Sequence, residues 1–231
     1  MTGRTRTGIL GGTFDPVHLG HHDVAMAARA VLGLDTVLLV PSLVPPHRHR
    51  PPAASGHDRL AMVELAAADD EGLEASDLEL RSEGPSYTSR TLETLTRGND
   101  PLQFFFITGA DAFAEISSWH DYPDVLDLSH FVVVSRPGHP TSQLTQQLPD
   151  LATRMRQPPS DPGGNPADTA TGVWLIDADT RDISSSDIRM RRAAGLPIGD
   201  LVSPSVAAYV VEHQLYTKAT PDSVLHSNND H

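Results

Sequence analysis

Short runs of β-branched and aromatic residues alternate along this chain with segments of helical period, and that alternation constrains the fold more than any single motif. The expected strands are Thr7–Leu10, Thr36–Pro41, Glu74–Leu80, Gln103–Thr108, His130–Ser135 and Val173–Asp177. Helical periodicity falls at Asp23–Leu32, His57–Ala68, Ser89–Thr96, Asp111–Ser117, Thr141–Met155, Ser185–Ala194 and Ser203–His213, with a short turn at Pro123–Leu128. Strand and helix in alternation predict an α/β fold, a mostly parallel sheet with helices on both faces. At 231 residues the chain fits one domain with a sizeable core. We place that domain at 1–216, with a flexible insertion over 157–172, where Pro, Gly and Asp crowd out apolar residues, and a disordered tail over 217–231.

Four of the expected strands end in loops too unusual for plain turns: "GGTFDPVH", "PSLVPPHRHR", "GAD" and "SRPG". In an open parallel sheet the carboxyl ends of the strands share one edge, so these loops are expected to meet over one crevice, where a ligand binds. In the first of them, Gly11 and Gly12 let backbone amides approach a ligand closely. A helix beginning near His18 turns its unpaired N-terminal amides toward an anion. His18 and His21, three residues apart, share a face and add two side-chain donors, while Gly20 between them keeps the surface low. No side chains with the spacing of a zinc site accompany them, so no protein-held metal is expected.

The net charge of −13 argues against a broad nucleic-acid or anionic-membrane surface, so the cations that meet an anionic ligand have to be local. The absence of Cys excludes a disulfide framework and a thiol nucleophile. "MTGRTRT" leads into "GILGG" with no apolar stretch of signal-peptide type, and a cytoplasmic protein without membrane or nucleic-acid partners is expected. The sequence leaves a homo-oligomer open.

"GGTFDPVHLGH" together with "ISSSDIR" at Ile183–Arg189 resembles the nucleotidyltransferase superfamily, with its early His-x-Gly-His and late Ile-Ser-Ser-x-x-x-Arg motifs. "PPHR" at Pro45–Arg48, "GPSYTSRTL" at Gly84–Leu92 and "FITGADAFAEISSWHDY" at Phe106–Tyr122 narrow the resemblance to the bacterial nicotinate-nucleotide adenylyltransferases. Arg48 stands where that family's pattern has lysine, and Ser186–Asp187 where it has Thr-Glu.

The resemblance implies a Rossmann-like, doubly wound fold and transfer of an adenylyl group from ATP to nicotinate mononucleotide, with Mg²⁺ carried mainly by ATP. His18, His21 and Arg189 are implied as catalytic. Gly11, Gly12, Thr13, Phe14, Ser184, Ser185 and Ser186 are implied to hold the ATP phosphates. His47, Arg48, Thr88, Asp111, Trp119 and Arg136 are implied to bind nicotinate mononucleotide, with Trp119 offering a flat face to the pyridine ring. Pantetheine-phosphate adenylyltransferase, a cytidylyltransferase and a catalytically silent nucleotide-binding module remain as alternatives.

Overall fold

The computed structural model describes residues 5–45, 51–100, 103–158 and 170–217. Seven parallel strands among these residues form one sheet in the order β3-β2-β1-β4-β5-β7-β6. In chain order they are β1 (Thr7–Gly12), β2 (Thr36–Pro41), β3 (Leu73–Ala75), β4 (Phe104–Gly109), β5 (His130–Val134), β6 (Met155–Arg156) and β7 (Val173–Ile176). The helices are α1 (Leu19–Leu32), α2 (Gly56–Ala68), α3 (Thr88–Thr96), α4 (Ala110–Ala114), α5 (Leu144–Gln147), α6 (Ser185–Ala193) and α7 (Pro204–Glu212). This is the expected α/β, Rossmann-like, doubly wound arrangement. The chain runs outward from β1 through β2 to β3, then returns to the other side of β1 as β4. The sheet therefore reverses direction between β1 and β4, and a crevice opens above their carboxyl ends.

Alternate side chains along the central strands feed two separate cores. Leu10, Phe105, Ile107, Val132, Val134, Trp174 and Ile176 face one helical layer. Ile9, Phe104, Phe106, Phe131, Val133, Val173 and Leu175 face the other. Strands covered on both faces read as continuous apolar runs, which is why "QFFFIT" and "HFVVV" stood out in the sequence. Helix α1 stops at Gly33, whose φ of 59° lets its N–H cap the Arg29 carbonyl.

Two expected elements are corrected. The strand expected over Glu74–Leu80 leaves the sheet after Ala75, and residues 77–82 form turns in which Arg81 N–H bonds the Asp77 carbonyl. An i,i+4 ion pair of 2.7 Å between the same two residues favours that compact turn over an extended edge. The helix expected over Thr141–Met155 is broken into α5 and two flanking 3₁₀ turns, and its end pairs as the edge strand β6. Pro149 has no N–H to continue a helix, and Leu148 before it leaves the helical region at φ −126°, ψ 64°. Most of the expected insertion, 159–169, and the tail from 218 onward lie outside the described residues. At the insertion's far end, Thr171 donates to the Leu126 carbonyl and Gly172 N–H donates to His130 Nδ1.

His130 is fully buried at the amino end of β5, stacked 4.8 Å from Phe105. Burial, helped by the charges of Arg156 and Arg6, pushes its pKa down to about 4. The folded imidazole is thus neutral where the unfolded one, with a pKa near 6.5, takes up a proton. Stability is complete above about pH 6.5 and falls as the pH drops toward 4, by roughly 3 kcal/mol for this one group. His130→Gln keeps an acceptor for Gly172 N–H and does not titrate. Urea unfolding of this variant should therefore show a slope of stability against pH shallower by about one proton over that window. Equal slopes would mean that His130 titrates alike in both states.

Candidate functional site: a phosphate loop and an aromatic cleft at the sheet switch point

The loop leaving β1 is held from behind. Ser42 N–H donates to the Gly12 carbonyl at 2.8 Å, and Arg59 Nη1 donates to the Thr13 carbonyl at 2.8 Å and the Ser42 carbonyl at 2.7 Å. A trans peptide turns its N–H opposite to its C=O. The amides of Thr13 and Phe14 therefore face away from Ser42 and Arg59. Phe14, at φ 49°, curls the loop into the left-handed region and shapes the concave run of amides that suits an anion. Asp15, 1% exposed, locks the next step by accepting from the amides of Ala53 and Ala54 and the Tyr216 hydroxyl.

The histidines cap α1 reciprocally. His21 N–H donates to His18 Nδ1 at 3.3 Å, and His18 N–H donates to His21 Nδ1 at 3.2 Å. The rings stack at 3.6 Å. An Nδ1 that accepts carries no proton, so each neutral ring is fixed with its proton on Nε2. Burial, reinforced by the nearby charge of Arg136, pushes the His18 pKa down to about 4. At neutral pH His18 is thus an uncharged hydrogen-bond donor. Gly20 also leaves room for packing: a Cβ there would lie 3.1 Å from the His18 ring and 3.2 Å from the Arg181 carbonyl.

Helix α6 brings the late motif against this loop. Ser184 caps it by accepting from Asp187 N–H, Ser185 Oγ donates to the Pro16 carbonyl at 2.9 Å, and Arg189 Nη2 donates to Ser186 Oγ at 3.1 Å. Arg189 is buried and donates through Nη1 to the Asp15 carbonyl at 2.8 Å. Ser185 and Arg189 thus knit α6 to the loop after β1, while the Ser184 and Ser186 hydroxyls bond to groups of α6 itself. Ahead of the helix, Arg181 makes a two-pronged pair with Asp23 on α1 at 2.5 and 2.8 Å.

Gly11, Gly12 and Thr13 share a cleft of about 220 Å³ with Ser42, Tyr87, Thr88, Phe106, Trp119 and His120. Thr88 opens α3, and His120 stacks on Tyr87 at 4.0 Å. Trp119 is half-buried, edge-on to Phe106 at 6.0 Å, so it both seals the core and walls the cleft. Gly12 connects this cleft to the histidines, since Phe14 packs beside it and stands edge-on to His21 at 4.9 Å. Asp111 and Arg136 face each other at 3.8 Å, and Arg136 reaches the Ile183 carbonyl at 3.4 Å, just ahead of the serine run. His47 and Arg48 lie outside the described residues. Among the described residues, no group of three or more His, Asp or Glu side chains could hold a metal ion, and no helix is long and apolar enough to cross a membrane.

Sequence reasoning missed Arg59, Asp15 and the Asp23–Arg181 pair. Arg59 was detectable, since it stands at helical spacing from the buried Met62 and Val63, and a cation on an apolar stripe calls for an internal partner.

Amides and paired imidazoles gathered above the switch of a parallel sheet, with an aromatic cleft alongside, form an arrangement that suits a phosphate-bearing ligand on an α/β fold. Residues 9–191 match the family model described as cytidylyltransferase-like. The chain is 40% identical over 220 residues to a probable nicotinate-nucleotide adenylyltransferase of Desulfatibacillum aliphaticivorans, covering 91% of this chain and 99% of that one. It is 36% identical to one of Herpetosiphon aurantiacus, covering 91% and 98%. The chain belongs to the cytidylyltransferase-like nucleotidyltransferases, in the nicotinate-nucleotide adenylyltransferase family. A nicotinic acid mononucleotide adenylyltransferase of Plasmodium falciparum, solved in complex with NaAD, shares the fold with a TM-score of 0.70 at 19% identity, covering 93% of this chain and 98% of that one.

Proposed function

We propose that the protein transfers the adenylyl group of ATP to nicotinate mononucleotide, giving nicotinate adenine dinucleotide and pyrophosphate on a route to NAD. The observation that carries this reading is the adjacency, through Gly12 and Phe14, of the stacked histidine pair to the cleft walled by Thr88 and Trp119. The 5′-phosphate of the mononucleotide attacks the α-phosphorus, the bond to the β-phosphate oxygen breaks, and pyrophosphate departs. A phosphate monoester, with a second pKa of about 6, is already ionised at neutral pH and needs no general base. The protein's work is to position two polyanions and to stabilise charge on the leaving group. Amides of Thr13 and Phe14 and the Nε2 protons of His18 and His21 serve the α- and β-phosphates. Arg136 supplies local positive charge beside His18 in an acidic protein. Ser185 and Arg189 hold the N-terminus of α6, capped by Ser184 and with Ser186 on its first turn, against the loop, where its dipole favours the triphosphate. Magnesium enters with ATP as part of the substrate.

Purified protein should release pyrophosphate only when ATP, Mg²⁺ and nicotinate mononucleotide are all present. Turnover with phosphopantetheine, or with CTP in place of ATP, would favour the corresponding relative. No turnover with any pair would indicate a silent binding module. Activity that survives excess EDTA would contradict the role given to magnesium.

A further inference from the structure

Glu79 belongs to none of the motifs, yet its carboxyl, 9% exposed, lies where the aromatic cleft meets a second hollow lined by Glu83, Tyr87, Arg90 and Thr94. Thr91 Oγ1 on α3 donates to Glu79 Oε1 at 2.6 Å, and the Ser86 hydroxyl lies near enough to the same carboxyl to oppose the rise in pKa that burial causes. Ser86 Oγ is in turn the acceptor for the amides of Leu43, at 2.9 Å, and Val44, at 3.4 Å, in the loop after β2. Its own N–H donates to the Val44 carbonyl at 2.9 Å. With two amides at its oxygen, the Ser86 hydroxyl keeps its proton for an acceptor on the Glu79 side. The Glu79 carboxyl thus stands where three pieces of chain meet: the loop after β2, the segment leading into α3, and α3 itself. Burying a carboxylate is costly unless hydrogen bonds satisfy it, and here they come from the pieces that carry Tyr87 and Thr88 to the cleft.

We propose that Glu79 is a positioning residue for the pyridine half of the site, acting through Ser86 and Thr91 to hold the Tyr87–Thr88 edge against Trp119. Thr91 stands one helical turn beyond Thr88, so fixing it fixes the rotation of α3 about its axis and the direction in which the Thr88 amide and hydroxyl point. The loop after β1 hangs chiefly from Arg59 and Asp15, which Glu79 does not touch, so the effect of Glu79 falls mainly on the mononucleotide side. This inference rests on nicotinate mononucleotide being the occupant of the cleft.

The test is steady-state kinetics of the wild type, Glu79→Ala and Ser86→Ala with both substrates varied, beside thermal unfolding of each protein. Both variants should raise KM for nicotinate mononucleotide by about tenfold or more while KM for ATP and kcat stay within about threefold. Glu79→Gln should raise this KM by less, because its carboxamide keeps one acceptor oxygen where the carboxylate has two. A wild type that turns over while the variants keep its KM for the mononucleotide overturns the positioning role alone. Equal changes in both KM values and in kcat, tracking a lost melting temperature, reduce Glu79 to a general stabiliser and also overturn it. A wild type inactive toward nicotinate mononucleotide overturns the proposed function and this inference with it.

Discussion

Replacing His18 or His21 by Ala is expected to lower kcat by roughly 10²–10³, the usual cost of removing one preorganised donor to a developing negative charge. The structure adds a complication, because each imidazole also caps α1 through its Nδ1. Alanine therefore removes a cap worth about 1 kcal/mol as well as an Nε2 proton. Asparagine at position 18 separates the two losses, since its carboxamide oxygen is a good cap acceptor but its NH₂ does not reach where Nε2 stands. The expected result is a His18→Asn protein that melts near the wild-type temperature and has lost nearly as much turnover as His18→Ala. Normal kcat in a protein with a lowered melting temperature would show that the pair is structural.

Nicotinate mononucleotide should be preferred over nicotinamide mononucleotide by at least about 10²-fold in kcat/KM, close to 2.7 kcal/mol of differential transition-state binding. A carboxylate gains charge-assisted hydrogen bonds from amides and a hydroxyl at the Thr88 end of the cleft. An amide in the same place turns its own NH₂ toward donors and leaves it unpaired. Glu79, an acceptor at the edge of that cleft, turns Oε1 to the Thr91 hydroxyl on α3. Trp119→Ala should weaken both mononucleotides alike, because stacking does not sense the carboxylate. Thr88→Ala should narrow the ratio between them. Comparable kcat/KM values in the wild type would remove the nicotinate assignment and leave adenylyl transfer standing.

The central strands were legible because burial on both faces leaves continuous apolar runs, and the crevice followed from the chemistry crowded at their carboxyl ends. The outer parts were not, and β3 and α5 show why. Glu-Ala-Ser-Asp-Leu-Glu-Leu alternates as a strand does, but at a sheet edge the alternation competes with a local Asp77–Arg81 turn, and the turn wins. Pro149 sat in plain view inside a helical pattern, and it prevailed over the periodicity. For the site, His18 and His21 were readable as donors from their spacing, but their protonation depends on the reciprocal cap, a matter of backbone direction. Arg189 was implied as catalytic by its motif. Its partners, Asp15 and Ser186, include one 174 residues away that spacing cannot reveal.

The Tyr216 hydroxyl bonds Asp15 Oδ1 at 2.8 Å across 201 residues of sequence. On the ribosome, the phosphate loop emerges with the first stretch of chain, but its inner anchor is among the last described residues to be made. The Ala53 and Ala54 amides can reach the Asp15 carboxylate early, but the bond from Tyr216 has to wait for nearly the whole described chain, so the packing behind the loop after β1 is finished last.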